Sequence, residues 1–345
     1  MQTSPFYKFV MQRGIEQGIK HGKPVPNRWH FGWLGFVLIC LSVIYIVSCG
    51  QREEDEAVGP TELVRADPNT DDSTRIAEPL PEPAPEPALE PIIPDGMVLI
   101  IEGEFQMGSN DGNADLDEQP VHTVHLDAFY IDANEVTNGE FKDFVLANPE
   151  WQKDRIAAEF HDDNYLQDWN GNNFPLGERD HPVRYVSWYA AMAYAISADK
   201  LLPTEAEWEK AARGGLEKKQ YPWGNGINFN RANYGKKLGE TTPVGEYPAN
   251  DYGVHDIAGN VWEWCLDGYE ADFYANSPRR NPTAGADNVD EIVNDFENII
   301  DFRVIRGGGW NSEPEWLRAS NRHGTSPKYA GIGALGFRCA KSVSP

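Results

Sequence analysis

The sequence predicts one globular domain of mixed helix and strand, with its regular structure early and an irregular second half. Three observations lead to that class. Strand-like runs and capped helical segments fill residues 97–213; glycine, aromatic and Asn/Asp residues then alternate without a period as far as Cys339; and the chain before about Pro94 lacks the composition of a core.

Residues 1–30 are basic, with Lys8, Arg13, Lys20, Lys23 and Arg28 against the single acid Glu16, and residues 31–48 carry no charge. Basic flanks stay on the cytoplasmic side, so this arrangement reads as an export signal. The segment ends in Ser48-Cys49, which resembles the cleavage and lipidation site of bacterial lipoproteins, with Cys49 as the lipidated residue. An uncleaved anchor is the alternative, because 18 uncharged residues are about the minimum for crossing a bilayer. Either way the remainder is expected outside, tethered to the membrane in the cell envelope.

Residues 49–95 form an acidic, proline-rich linker, densest at 78–87. Repeated proline favours extended polyproline II and the glutamates repel one another, which makes a semi-stiff spacer. The whole chain has a net charge of -24; without residues 1–48, 25 basic face 53 acidic residues, a net of -28. Such a balance argues against nucleic acid as a partner and suits an exported domain or one that holds divalent cations. Of four cysteines, only Cys265 and Cys339 lie in the domain, and the sequence leaves their pairing open.

Within the domain, residues 96–342, strands are expected at 98–101 and at 121–126, the second alternating apolar with polar side chains. Thr137 and Glu140 make a capping box that opens a helix with Phe141, Phe144 and Val145 on one face. Ser187 caps a second helix, on which Trp188, Ala191, Met192 and Ala195 recur at helical spacing. Thr204 and Glu207 open a third, with Glu205 and Glu209 early, Lys210 and Arg213 late, and Gly214-Gly215 as the stop. Beyond it, short strands and loops are packed by Trp223, Trp262, Trp264 and Trp310, and so much irregular backbone needs side-chain hydrogen bonds, water or ions.

Residues 202–215 (LPTEAEWEKAARGG), 221–225 (YPWGN), 252–264 (YGVHDIAGNVWEW), 306–310 (RGGGW) and 336–339 (GFRC), with 103–109 (GEFQMGS) and 134–138 (NEVTN) before them, resemble the sulfatase-modifying-factor family in order and spacing. The resemblance covers about 96–342. It implies an α+β fold low in regular structure, the formylglycine-generating-enzyme-like variant of the C-type lectin fold. Family members that generate formylglycine oxidise a client cysteine with oxygen and a copper ion held by two cysteines. The matching interval here, 309–322, contains no cysteine. By position, Ser312 and approximately Leu317 stand where the thiolates belong, and Gly309 where a serine is usual. A hydroxyl and an isobutyl group do not replace two soft sulfur ligands, so copper is not expected. The resemblance also puts Ala195 at the position of the usual partner of Cys339, which implies a free thiol.

Calcium is the cofactor the resemblance implies. Its ligands would be the Asp256 and Glu263 carboxylates with the carbonyls of Gly259 and Val261, all oxygens as Ca²⁺ prefers. A weaker second site would use Asn233 and the Tyr234 carbonyl.

Other acids and histidines have plainer readings. Glu205, Glu207 and Glu209 sit where cap and helix-dipole service explains them. His122 and His125, three apart in a strand, point to opposite faces and make no metal pair; His255 and His323 lie in the loop region. Trp262, Trp310, Asn311, Trp316, Arg318 and Arg322 either line a ligand groove or fill the core of a sheet-poor domain. Taken together, a membrane-tethered module that binds a peptide, glycan or protein is expected. The competing reading is a metal-dependent oxidoreductase of the same family using non-cysteine groove residues.

Overall fold

The computed structural model describes residues 92–343. The basic segment, the apolar segment 31–48, Cys49 and the linker through residue 91 lie outside the described residues. Among the described residues no helix is long and apolar enough to cross a membrane.

Strand β1 (Met97–Ile100) pairs antiparallel with β4 (Phe129–Asp132), whose other edge takes β9 (Ala340–Ser342). Between β1 and β4, strands β2 (Gly103–Met107) and β3 (His122–Leu126) form a separate antiparallel pair. Three helices follow: α1 (Asn138–Ala147), α2 (Trp188–Ser197) and α3 (Glu205–Arg213). The second half supplies β5 (Trp262–Gly268), β6 (Arg303–Arg306), β7 (Arg322–Thr325) and β8 (Leu335–Gly336), in a sheet ordered β7-β6-β5-β8 with only β5 and β8 parallel. Short helices α4 (Phe273–Asn276) and α5 (Val289–Asp295) lie in the long β5–β6 connection.

All three main helices start where their caps predict. The Thr137 hydroxyl accepts from Glu140 N, and a Glu140 carboxylate oxygen accepts from Thr137 N at 2.8 Å. Thr204 and Glu207 repeat that box, and the Ser187 hydroxyl accepts from Ala190 N. Helix α3 ends at Gly214, whose φ of 54° lies in the left-handed region that glycine enters without cost. The expected strands at 98–101 and 121–126 correspond to β1 and β3. Strands β2 and β4 were not foreseen from periodicity. Every residue of β4 is buried, which erases alternation, and β2 stood out only as a motif.

Strand β5 is buried throughout and joins the two main cores. Trp262, Trp264 and Leu266 pack with Trp188, Met192 and Phe337 of the α2 side, while Cys265 packs with Trp208, Ala212 and Ile257 of the α3 side. This is the period of two that a strand imposes. Each large apolar side chain so removed from water contributes roughly 1.5–3 kcal/mol. The same alternation aims Glu263 and Asp267 toward α3: Glu263 accepts from Trp208 Nε1, and Asp267 from the backbone N–H of Glu205.

Candidate functional site

Helix α3 carries acids that the sequence reading assigned to its cap and dipole, and only Glu207 serves that way. Glu205 and Glu209 are buried and ion-paired. Glu205 takes a two-pronged pair from Arg322, with both distances 2.7 Å, and a further bond from Arg306 at 3.0 Å. Glu209 meets Arg306 and Arg213, each at 2.6 Å, and accepts from Gly108 N. Arg306 lies over Trp208 and also donates to the carbonyls of Ala319 and Ser320. Burial pushes the Glu209 carboxyl up, but Arg213 and Arg306 outweigh it and hold the pKa below the ordinary value.

Both arginines expected in the groove are instead buried. Arg322 and Arg318 are each 3% exposed; Arg318 reaches Glu118 at 2.6 Å and Asp115 at 3.3 Å, pinning the segment before β3 against residues 318–322. Trp262 is also buried, as part of β5. The side chains that do face solvent in this region are fewer. Trp316 is 41% exposed, edge-on to Trp262 at 5.5 Å and 5.9 Å from exposed His323. Trp310 and Asn311 are half-buried, donating to the carbonyls of Gly333 and Ile332.

Close by in the chain are Ser312 and Leu317, which the resemblance sets, approximately for Leu317, where thiolates were expected. The Ser312 hydroxyl accepts from Gly309 N at 2.9 Å, while Ser312 N donates to Gly309 O. Leu317 is fully buried among Tyr221, Ala232, Tyr234 and Ala258. Neither presents a metal ligand to the surface. A Cβ at Gly309 would lie 2.8 Å from Ala334 Cβ, so a serine there needs a shift of the backbone or of Ala334. Cys265 and Cys339 are free, buried in different cores, and burial pushes both thiols well above their usual pKa.

The loop before β5 holds a second acidic centre. Asp256 Oδ2 accepts from Gly245 N at 2.6 Å, while Asp256 Oδ1 and Asn233 Oδ1 are buried with no hydrogen-bond partner. Glu263, expected as a free ligand, instead has both oxygens engaged: Arg338 reaches them at 2.7 and 2.8 Å, and Trp208 adds a bond to Oε2. Glu135 joins this centre, accepting from Asn260 Nδ2 and Val261 N. Burial, then the charges of Asp256 and Glu263, push the Glu135 pKa well up; burial raises Asp256 to about 6. Among the described residues, no three His, Cys, Asp or Glu side chains converge on one point as metal ligands. His122 packs on the Tyr274 ring and His125 lies 3.9 Å from Asp127, so the two histidines serve separate contacts.

Glu118, Glu135, Arg306 and Arg338 were missed as interacting residues. The two arginines stood inside the RGGGW and GFRC motifs, which was the available signal; their carboxylate partners lie 75 to 101 residues away in the chain.

A family model described as the sulfatase-modifying factor enzyme 1-like domain matches residues 83–343. The serine/threonine-protein kinase pkn1 of Chlamydia caviae is 40% identical over 252 residues, 72% of this chain but only 38% of that protein, so the chain spans well under half the length of such relatives. The formylglycine-generating enzyme of Streptomyces coelicolor is 35% identical over 72% of this chain and 90% of its own. An inactive C-alpha-formylglycine-generating enzyme 2 of Bos taurus is 33% identical over 72% and 88%. Among solved structures, PvdO from Pseudomonas aeruginosa superposes with a TM-score of 0.55 at 26% identity, covering 71% of this chain and 94% of that one.

Proposed function

Because the chain belongs to the sulfatase-modifying factor enzyme 1-like family and has no cysteine between Gly309 and Arg322, we propose that it is a non-oxidising binding or accessory module of that family. The observation that carries this reading is the pair Ser312 and Leu317, one hydroxyl held by Gly309 N and one side chain buried in a core, at the positions matched to copper-binding thiolates. Copper(I) at such a centre would need soft sulfur ligands, and the two thiols among the described residues, Cys265 and Cys339, are buried elsewhere. That a relative 33% identical to this chain is named as an inactive C-alpha-formylglycine-generating enzyme supports the reading. Trp316, Trp310 and Asn311 supply the accessible aromatic and amide groups for a peptide, glycan or protein ligand, a mixture typical of binding surfaces.

Tethering belongs to the same proposal, through a lipid on Cys49 or an uncleaved segment 31–48. So does structural calcium. The unpaired buried oxygen of Asp256 suits a hard cation at the first site, which would neutralise part of the Glu135, Asp256 and Glu263 charge beside Arg338, and that of Asn233 suits the weaker second site. Glu263 would have to share its oxygens between the cation of the first site and Arg338.

The test is oxidation itself. The full chain, mixed with copper(I), oxygen and a sulfatase-derived cysteine peptide, is expected to leave the cysteine unchanged by mass spectrometry while an active formylglycine-generating enzyme converts it. Aldehyde formed by this chain refutes the proposal.

A further inference from the structure

Residues 218–238 contain five Lys or Arg and no Asp or Glu, in a chain whose net charge is -24. Lys218, Lys219, Arg231, Lys236 and Lys237 are all exposed, and among them Ile227, Phe229 and Leu238 are 38%, 42% and 52% exposed. Glu217, Glu240 and Glu315 border this face and leave it net positive, five charges against three. Its shape is held before anything binds. Phe229 stacks on buried Tyr234 at 4.3 Å, and Lys237 Nζ lies 4.4 Å from the centre of the Phe229 ring. Gly235 N and Lys236 N donate to Ser312 O and Trp310 O.

Residues 287–301 are the converse. They contain six Asp or Glu and no Lys, Arg or His, and all six acids are exposed. Ile300 and Phe302 beside them are 78% and 55% exposed. Ile299 O accepts from Tyr189 Oη and Phe302 O from Tyr269 N, so Ile300 and Asp301 are held between two anchored neighbours. The next base along the chain, Arg303, is buried. None of the five cations or six acids makes an ion pair among the described residues. Apolar side chains left in water beside unpaired charge of one sign mark a contact surface.

The two faces lie at opposite ends of β6. Phe302 directly precedes that strand, and the basic face is bonded to Trp310 and Ser312, which follow it. Within one molecule they do not meet; between two copies they can. We propose that the occupant of each face is a second copy of the chain, the basic face of one docking on the acidic face of the next. Charge complementarity selects this partner. At physiological ionic strength, charges more than about 8 Å apart are largely screened, so the facing patches and not the net charge decide the contact. Ile227, Phe229 and Leu238 are then covered together with Ile300 and Phe302. Such a contact is head to tail and leaves one face free at each end, so further copies add in a row. The inference does not rest on the function proposed above.

The test is carbodiimide cross-linking, which joins a lysine amine to a carboxylate in contact with it, on a mixture of unlabelled and nitrogen-15-labelled full chain in non-ionic detergent. Peptide mapping is expected to find mixed-isotope links between residues 218–238 and 287–301, and their yield to fall between about 0.15 and 1 M salt. Lys236→Glu with Lys237→Glu, and separately Glu297→Lys with Asp301→Lys, are each expected to lose the links, those of the unaltered lysines and acids included. Mixing the two variants is expected to restore them, because the intact acidic face of one then meets the intact basic face of the other. Both variants keep the uncharged segment 31–48, so association through shared micelles would survive the substitutions. No mixed-isotope link from the unaltered chain overturns the proposal, whether or not the variants fold, and so do links that survive either pair of substitutions. Binding of residues 218–238 to phosphatidylglycerol vesicles with no link between copies also overturns it, and assigns the basic face to a lipid headgroup.

Discussion

Replacing Arg306 by methionine tests the ionic lattice under α3 most directly. The guanidinium is completely buried, touches Glu205 at 3.0 Å and Glu209 at 2.6 Å, and donates to two carbonyls. Methionine fills much of the volume over Trp208 but supplies no donor, so two carboxylate contacts and the carbonyls of Ala319 and Ser320 lose their partner at once. Removing one member of a buried pair costs about 3–5 kcal/mol. For a domain of this size each kcal/mol moves the melting temperature by about 2–4 °C, so the variant should melt roughly 6 to 20 °C lower. Thermal and urea unfolding of the full chain in detergent, followed by tryptophan fluorescence, measures it. Lys341→Met is the control. Its pair with Asp199 has side chains 33% and 92% exposed, and such pairs are worth about 0–1 kcal/mol. If Arg306→Met is no less stable than Lys341→Met, the lattice does not hold the fold and the reasoning fails.

Three further outcomes are expected. Burial, with the nearby Glu205 charge, raises Asp267 from 3.8 to about 7, so the folded state keeps a proton that the unfolded chain releases. The resulting stability is fully present below about pH 4 and is lost as pH rises through 7, at up to about 1.4 kcal/mol per pH unit; if Asp267→Asn leaves the pH 5 to 7 slope of stability unchanged, the assignment is wrong. Chelation of calcium should lower the melting temperature and added calcium restore it, by about 2.7 kcal/mol at a hundredfold excess over Kd, with Asp256→Ala removing the response; an identical melt with and without chelator refutes the site. Radioactive palmitate should label the chain but not Cys49→Ala, and an unlabelled chain of full length would favour the uncleaved anchor instead.

What the sequence revealed and what it hid divide by the range of the interaction. A capping box is local, so Thr137 with Glu140 and Thr204 with Glu207 located their helices to the residue. The second half was correctly expected to be irregular, because its glycines and aromatics carried no period. By contrast, Glu118 and Arg318 are 200 residues apart and meet only after folding, and nothing in either neighbourhood marks them as partners. The groove alternative failed for Arg318, Arg322 and Trp262, and for the two arginines the reason is the same. Arg318 and Arg322 look like ligand donors in a linear reading, and only the position of α3 and of the segment at 115–118 turns them inward. Trp316, one residue before buried Leu317, is the groove candidate that stays exposed.

The arrangement of β1, β4 and β9 has a mechanical consequence. Both ends of the domain are fastened to β4, and β1 and β9 do not pair with each other. Met97 lies opposite Asp132 and Ser342 opposite Phe129, so the two ends depart from opposite ends of the same central strand. Tension applied between them therefore runs along the strands and loads each ladder in shear, its hydrogen bonds yielding together rather than one at a time. A domain held at its N-terminal side and pulled from its C-terminal side would resist first through the two ladders on β4.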